Sequence, residues 1–264
     1  MLCVLCASVL FSCTTVKEQR IDCPCILNIG LDAYTKYDDC ESVSVRVLGD
    51  TAFQSTVNPL DYAGHGYDVE VKRRTNRVTV ISGLEKSVME GDSLYFPKGV
   101  EADPLRVFTA MVPCEDDLAS VTAVPYKKWC DVHVILMSVI PGEEFPYDIL
   151  LSADCNGLRL STGQPTWGDY RVLVNRTKVG EPVVRLPRQK ESSVRLDFYD
   201  RNEAREYSLS DRVFSMDIGP LMDRQGYDWS KDNLDDIYVF VDHTRMTATV
   251  NVSEWNRETI IEEI

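Results

Sequence analysis

The stretch DIYVFVDHTRMTATVNV, residues 236–252, decides the fold. Its first part, Ile237-Tyr238-Val239-Phe240-Val241, is apolar throughout and rich in β-branched and aromatic side chains. Strand side chains point alternately to the two sides of a sheet, so an unbroken apolar run belongs in its middle, covered on both faces. Asp242–Arg245 then supplies a polar turn, and Met246–Val252 returns with Thr and Val in alternation. Together the two segments predict a C-terminal β-hairpin.

The same grammar runs through the rest of the chain. Ser44–Val47, Tyr67–Lys72, Arg77–Val80, Val194–Phe198 and Phe214–Ile218 alternate apolar with polar residues. Leu105–Val112 is a longer strand, apolar on most of both faces, and Arg74–Asn76 reads as a turn. Period two with β-branched residues marks half-buried strands. Helical periodicity is scarce, and one helical turn is expected after Pro220 in the polar stretch Gly219–Asp236. About seven strands fall before Lys127 and about seven after it, at the spacing of β-sandwiches. The fold class is therefore all-β, with two tandem seven-stranded sandwiches over 23–126 and 127–264. Their junction is placed at Val124–Trp129, where no low-complexity linker intervenes, so the two should abut.

The chain has 264 residues, 44% of them hydrophobic, and a formal net charge of −14. That supports a real core and repels nucleic acid and anionic headgroups. Membrane attachment, if any, should then be through a lipid rather than a basic face. Met1–Ser12 carries no charge and is too short to span a bilayer, which takes about 20 apolar residues. It reads as an export signal. Leu10-Phe11-Ser12-Cys13 resembles the bacterial lipobox, in which the cysteine thiol is acylated and becomes the first residue after cleavage. Lipidation at Cys13, palmitate included, would leave 13–22 as a tether. No Lys or Arg precedes Cys13, where a signal normally has one, so a start further upstream is expected.

Catalytic patterns are missing. His65, His133 and His243 share no ligand-like spacing, and neither Gly-x-Ser-x-Gly nor His-Glu-x-x-His occurs. Asp116-Asp117 and Asp235-Asp236 lie in no EF-hand-like loop and read as solvated carboxylates. A non-enzyme without metal or cofactor is expected.

Of nine cysteines, three belong to the leader, leaving Cys23, Cys25, Cys40, Cys114, Cys130 and Cys155. An even set in an exported chain predicts disulfides. If Asp131–Ile140 and Tyr147–Ala153 form a hairpin through Pro141–Pro146, Cys130 and Cys155 fall nearly opposite and can bridge. Cys23 and Cys25 are too close in sequence to bridge each other, so one or both should reach Cys40 or Cys114.

Ile21-Asp22-Cys23-Pro24-Cys25-Ile26-Leu27, just after a lipobox, resembles the anchoring subunits of Bacteroidia-type (type V) fimbriae. Asp236–Asp242 and Val250–Trp255 are similar to the close of the second domain in that family. The resemblance implies two transthyretin-like sandwiches, an outer-membrane lipid anchor at Cys13 and a place at the fimbrial base, with fimbrial structural subunits as partners. A tip or stalk subunit shares the fold. Stalk subunits of this type lose their first strand to proteolysis and accept a neighbour's, whereas an anchor must keep Ile26–Leu31 in place. A surface glycan-binding lipoprotein is the other alternative, with Trp129, Trp167, Trp229 and Trp255 as platform candidates, although buried or capping tryptophans are favoured. For an anchor, partner binding is assigned to the tail, which would add a strand to a neighbour's sheet. Its side chains are Trp255, Ile260, Ile261 and Ile264, with Ile260 and Ile264 on one face and Ile261 on the other. The alternative is a tail that completes the second sandwich, Trp255 covering its core.

Overall fold

The computed structural model of the chain describes residues 23–50, 52–137, 145–174, 182–201, 207–242, 245 and 247–253. Ten strands run up to Lys127: β1 (Pro24–Gly30), β2 (Val43–Leu48), β3 (Ala52–Val57), β4 (Tyr67–Lys72), β5 (Thr75–Ser82), β6 (Val88–Glu90), β7 (Ser93–Tyr95), β8 (Arg106–Pro113), β9 (Leu118–Thr122) and β10 (Tyr126–Lys127). Eight follow: β11 (Trp129–Met137), β12 (Tyr147–Arg159), β13 (Gln164–Leu173), β14 (Val183–Pro187), β15 (Arg195–Asp200), β16 (Arg212–Asp217), β17 (Asp236–Asp242) and β18 (Thr247–Ser253). Among the described residues one α-helix, the short α1 (Gly219–Arg224), falls at the expected Pro220.

The strands form four sheets, ordered β4-β1-β9, β10-β8-β5-β2-β3, β14-β11-β17-β18 and β16-β15-β12-β7-β6, with β13 on the other edge of β12. The first two share one buried cluster. Cys25, Leu27 and Ile29 of β1 and Val69 and Val71 of β4 meet Val43, Val45 and Val47 of β2, Val78 and Val80 of β5 and Val112 of β8. The last two share another, in which Val132, Val134, Ile237 and Val239 meet Ile149, Leu151, Leu196 and Phe198. Alternation does this: in strands such as β1, β2 and β4 every second residue is apolar, and burying that face against a second sheet removes it from water.

The C-terminal hairpin is present, with β17 and β18 antiparallel from Asp236↔Ser253 to Asp242↔Thr247. β17 is central, since β11 runs parallel on its other side. It is covered unevenly: Ile237, Val239 and Val241 are fully buried, whereas Tyr238 and Phe240 are half-buried. On that outer side the Tyr238 ring stacks on His133 at 4.3 Å.

The expected hairpin between Asp131–Ile140 and Tyr147–Ala153 does not form. β11 pairs with β14 and β17, and β12 pairs with β13, β15 and β7 in the facing sheet. Both strands bury a full apolar face, and both faces can be served by placing the strands across the core instead of side by side. A nine-residue connection is long enough to cross a core about 10 Å thick.

The strand distribution also differs from seven and seven. The β6–β7 hairpin, read with the first sandwich, joins the second: β7 pairs with β12 over Gly157↔Tyr95, Leu158↔Leu94 and Arg159↔Ser93. Leu94, Phe96 and Ala102 enter the second core. Gly157 permits this approach, because a Cβ there would lie 2.4 Å from the Leu94 carbonyl oxygen. The return path is held by the buried Asp103 carboxylate, which accepts from the N–H groups of Glu85, Lys86 and Ser87 at 2.8–3.0 Å.

A cluster of cations and rings joins the sandwiches where β10 gives way to β11. The Arg106 guanidinium lies 4.1 Å from the Tyr37 ring and 5.2 Å from that of Trp129, and it bonds the Asp39 carboxylate at 3.0–3.1 Å. The Lys127 ammonium lies 5.2 Å from the Trp129 ring and donates to Asp236 Oδ1 at 2.5 Å. Asp236 Oδ1 also accepts from the Asp131 N–H at 2.9 Å.

Candidate functional site: the seat of the first strand

β1 is the middle strand of its sheet. It pairs antiparallel with β4 over six positions, Pro24↔Lys72 to Ile29↔Tyr67, and parallel with β9 over five, Ile26↔Leu118 to Gly30↔Thr122. Cys25, Leu27, Ile29 and Leu31 are all completely buried. Outward, Asn28 Nδ2 donates to Asp68 Oδ1 at 2.7 Å and to the His65 carbonyl at 2.8 Å. Gly66, at φ +74°, lies against Asn28, and a Cβ there would come within 2.4 Å of its side-chain oxygen. The two ends are tied as well, by Ile26 N–H to Asp117 O and Ala123 N–H to Gly30 O, both at 2.9 Å. Arg73 closes the N-terminal end, donating to the carbonyls of Cys23 and Glu115 and to the Asp117 carboxylate. The first sandwich is thus completed by its own N-terminal strand.

The cysteines fall in separate places. All six are free thiols, and all but Cys23 are buried. Cys130 faces Leu186 of β14 and Cys155 faces Trp167 of β13, so the register that brought them together disappears with the hairpin. Burial pushes the Cys130 thiol up to about 12, with weaker opposing effects from Tyr227 and Lys127. Cys40 lies by Ser82, at one end of β5, and burial raises its thiol too. Cys25 and Cys114 are neighbours. Burial, and then the adjacent Cys114 thiol, push the Cys25 thiol above its ordinary value.

Two other sites fall outside the described residues: the lipidation candidate Cys13 and the tail with Trp255, Ile260, Ile261 and Ile264. So does His243. Among the tryptophans, Trp129 and Trp229 are buried, whereas Trp167 on β13 is 57% exposed. The Lys190 ammonium sits 4.6 Å from the Trp167 ring centre. A cleft of about 320 Å³ beside β12 and β13 is lined by Asp154, Asp169, Arg171, Arg195 and Asp217, with mixed charge. Among the described residues no three or more His, Cys, Asp or Glu side chains are placed to hold a metal ion. No helix among them is long and apolar enough to cross a membrane.

Fold and site together define a β-protein of two sandwiches in which the first strand is paired on both sides within its own sandwich. The fold is shared with the fimbrial anchor protein Mfa2 of Porphyromonas gingivalis, at 11% identity and a TM-score of 0.60 over 88% of this chain and 98% of that one. A protein of Bacteroides thetaiotaomicron (DUF1812), described as a candidate polysaccharide-binding protein, matches at 12% identity and 0.59 over 89% and 97%. A candidate adhesin of Bacteroides ovatus matches at 12% and 0.58 over 88% and 94%. No family model matches the chain, and no curated protein matches it.

Proposed function

We propose that the protein is the basal subunit of a surface fimbria, a non-enzymatic anchor held in the outer membrane by a lipid on Cys13. The observation that carries this is the seat of β1, paired on both sides within its own sandwich. A subunit that polymerises by strand replacement must give that strand up, and an anchor must not, since the lipid lies just upstream. The fold shared with a fimbrial anchor protein and an adhesin supports a place in surface attachment. With β1 in its groove, contact with the filament falls to another surface, and the tail with Ile260, Ile261 and Ile264 is assigned that part. Electron microscopy of a deletion strain tests the reading: fimbriae released into the medium are expected, and absent or shortened fimbriae would point to a stalk subunit.

A second reading has one observation of its own. Trp167 offers an exposed ring with a cation over it, which suits a sugar ring or a carboxylated glycan. Normal, cell-bound fimbriae together with lost glycan binding in the deletion strain would favour that role.

A further inference from the structure

Of the six cysteines, one pair is placed to react. Cys25 is the second residue of β1, and Cys114 directly follows β8. The chain segments around them are clamped together. Ile26 N–H bonds Asp117 O at 2.9 Å, and Arg73 reaches the carbonyls of Cys23 and Glu115 at 3.2 and 3.4 Å. Cys114 N–H in turn bonds Arg74 O at 3.1 Å, which fixes the start of this segment against the β4–β5 corner. Both thiols are completely buried in the first core, and the Cys114 thiol lies close enough to raise that of Cys25.

The other cysteines are excluded by position. Cys114 follows the Thr75 end of β5, where Thr75 pairs with Pro113. Cys40 lies by Ser82 at the opposite end. The eight residues between those ends span roughly 23 Å at about 3.3 Å per residue, far beyond the reach of a disulfide. Cys23 precedes β1 and is exposed.

We propose that Cys25 and Cys114 form a disulfide in the exported protein, and that this bond locks β1 to the end of β8. The oxidant is a protein disulfide of an oxidising compartment. One thiol, as thiolate, attacks a sulfur of that disulfide and its S–S bond breaks. The second thiol then attacks the mixed disulfide, forming Cys25–Cys114 and releasing the oxidant as a dithiol. Two electrons and two protons leave the pair. The exchange takes place before β1 is fully seated, while both thiols are open to the oxidant, and once made the bond forbids β1 from leaving. It rests on the positions of the two cysteines and not on the anchor reading, which it would favour, since a stalk subunit must release β1.

The test is a non-reducing tryptic map of the full chain, exported, isolated from the cell envelope and alkylated at once. Cleavage after Arg20, Lys36, Arg106 and Lys127 puts Cys23 and Cys25 in one peptide and Cys114 alone in another. The two should appear as one cross-linked species that splits on reduction, with fragmentation placing the bond on Cys25. A Cys23→Ser variant should keep the species. Cys25 and Cys114 both alkylated before reduction, or a bond from Cys23, would overturn the pairing. Hydrogen exchange supplies the second measurement: amides of residues 26–30 should exchange about tenfold faster after reduction. Equal rates would overturn the lock.

Discussion

Lys127 and Asp236 hold the two sandwiches in register, and the cost of parting them can be worked from their surroundings. Lys127 ends β10 in the first sandwich, and Asp236 begins β17 in the second. The Lys127 side chain is 3% exposed and that of Asp236 22%. Removing one partner of a buried pair strands the other charge, at about 3–5 kcal/mol. In Lys127→Met the stranded carboxylate keeps the Asp131 N–H and some water, so the cost should sit below that range, at about 2 kcal/mol. In Asp236→Asn the Lys127 ammonium loses its carboxylate where it has almost no water, and Asp131 keeps only a neutral acceptor, so about 3 kcal/mol is expected. The double variant removes both charges and leaves the Met side chain against Trp129, so it should return to within about 1 kcal/mol of the parent. Urea unfolding followed by tryptophan fluorescence measures all three. A double variant as unstable as the sum of the singles would refute the pairing argument. So would a Lys127→Met variant within about 0.5 kcal/mol of the parent.

The remaining predictions concern acid stability, a close approach and the membrane. Burial alone would raise the Asp197 carboxyl. The Ser215 hydroxyl and the guanidinium groups of Arg195 and Arg212 instead hold it below its ordinary 3.8. Its contribution is therefore complete above that value and is lost as pH falls through the lowered one, so Asp197→Asn should flatten the acid limb of Tm against pH. An unchanged limb would count against it. Gly157→Ala sets a Cβ 2.4 Å from the Leu94 carbonyl oxygen and should loosen the β6–β7 hairpin, seen as faster exchange at residues 88–95. Cys13→Ser should move the protein from membrane to soluble fractions and abolish labelling by a fatty-acid probe, and labelling equal to the parent would sink the lipid.

Long alternating segments were legible in the sequence, and partners distant along the chain were not. The β17–β18 hairpin could be read because its turn and both its strands are contiguous. β11 and β12 are contiguous too, yet they face each other across a core, and alternation alone cannot separate a hairpin from an arch between sheets. β6 and β7 have three residues each, too few to show a period. The parallel pairing of β1 with β9 joins residues about ninety apart, and nothing local encodes it. The same holds for the candidate site. Cys25 and Cys114 could be named as candidates, but only the sheet order brings them together and carries Cys40 to the far end of β5.

The position of Cys25 in its strand matters for how force would pass through the proposed anchor. Tension arriving from Cys13 enters β1 at Pro24. Without a bridge, the hydrogen bonds of β1 to β4 and β9 take the load directly, and their failure empties the groove. With a bridge at the second residue of the strand, the load passes at Cys25 to Cys114 before most of β1 is stretched. It then continues from Cys114 towards β9, bypassing β2 to β8, which lie inside the loop that the bond closes. The closed loop runs from Cys25 to Cys114, about 90 residues, for which the chain-entropy model gives roughly 4.6 kcal/mol of equilibrium stabilisation. Its kinetic effect under load should be larger than that figure implies, because the bond removes the weakest route of rupture instead of adding to every route equally. Pulling the oxidised chain between residue 13 and its C-terminal end in a force spectrometer should show no extension from the residues between Cys25 and Cys114. Adding reductant should bring in an earlier, shorter extension matching the release of β1. The same first rupture force with and without reductant would mean that the load never passes through Cys25.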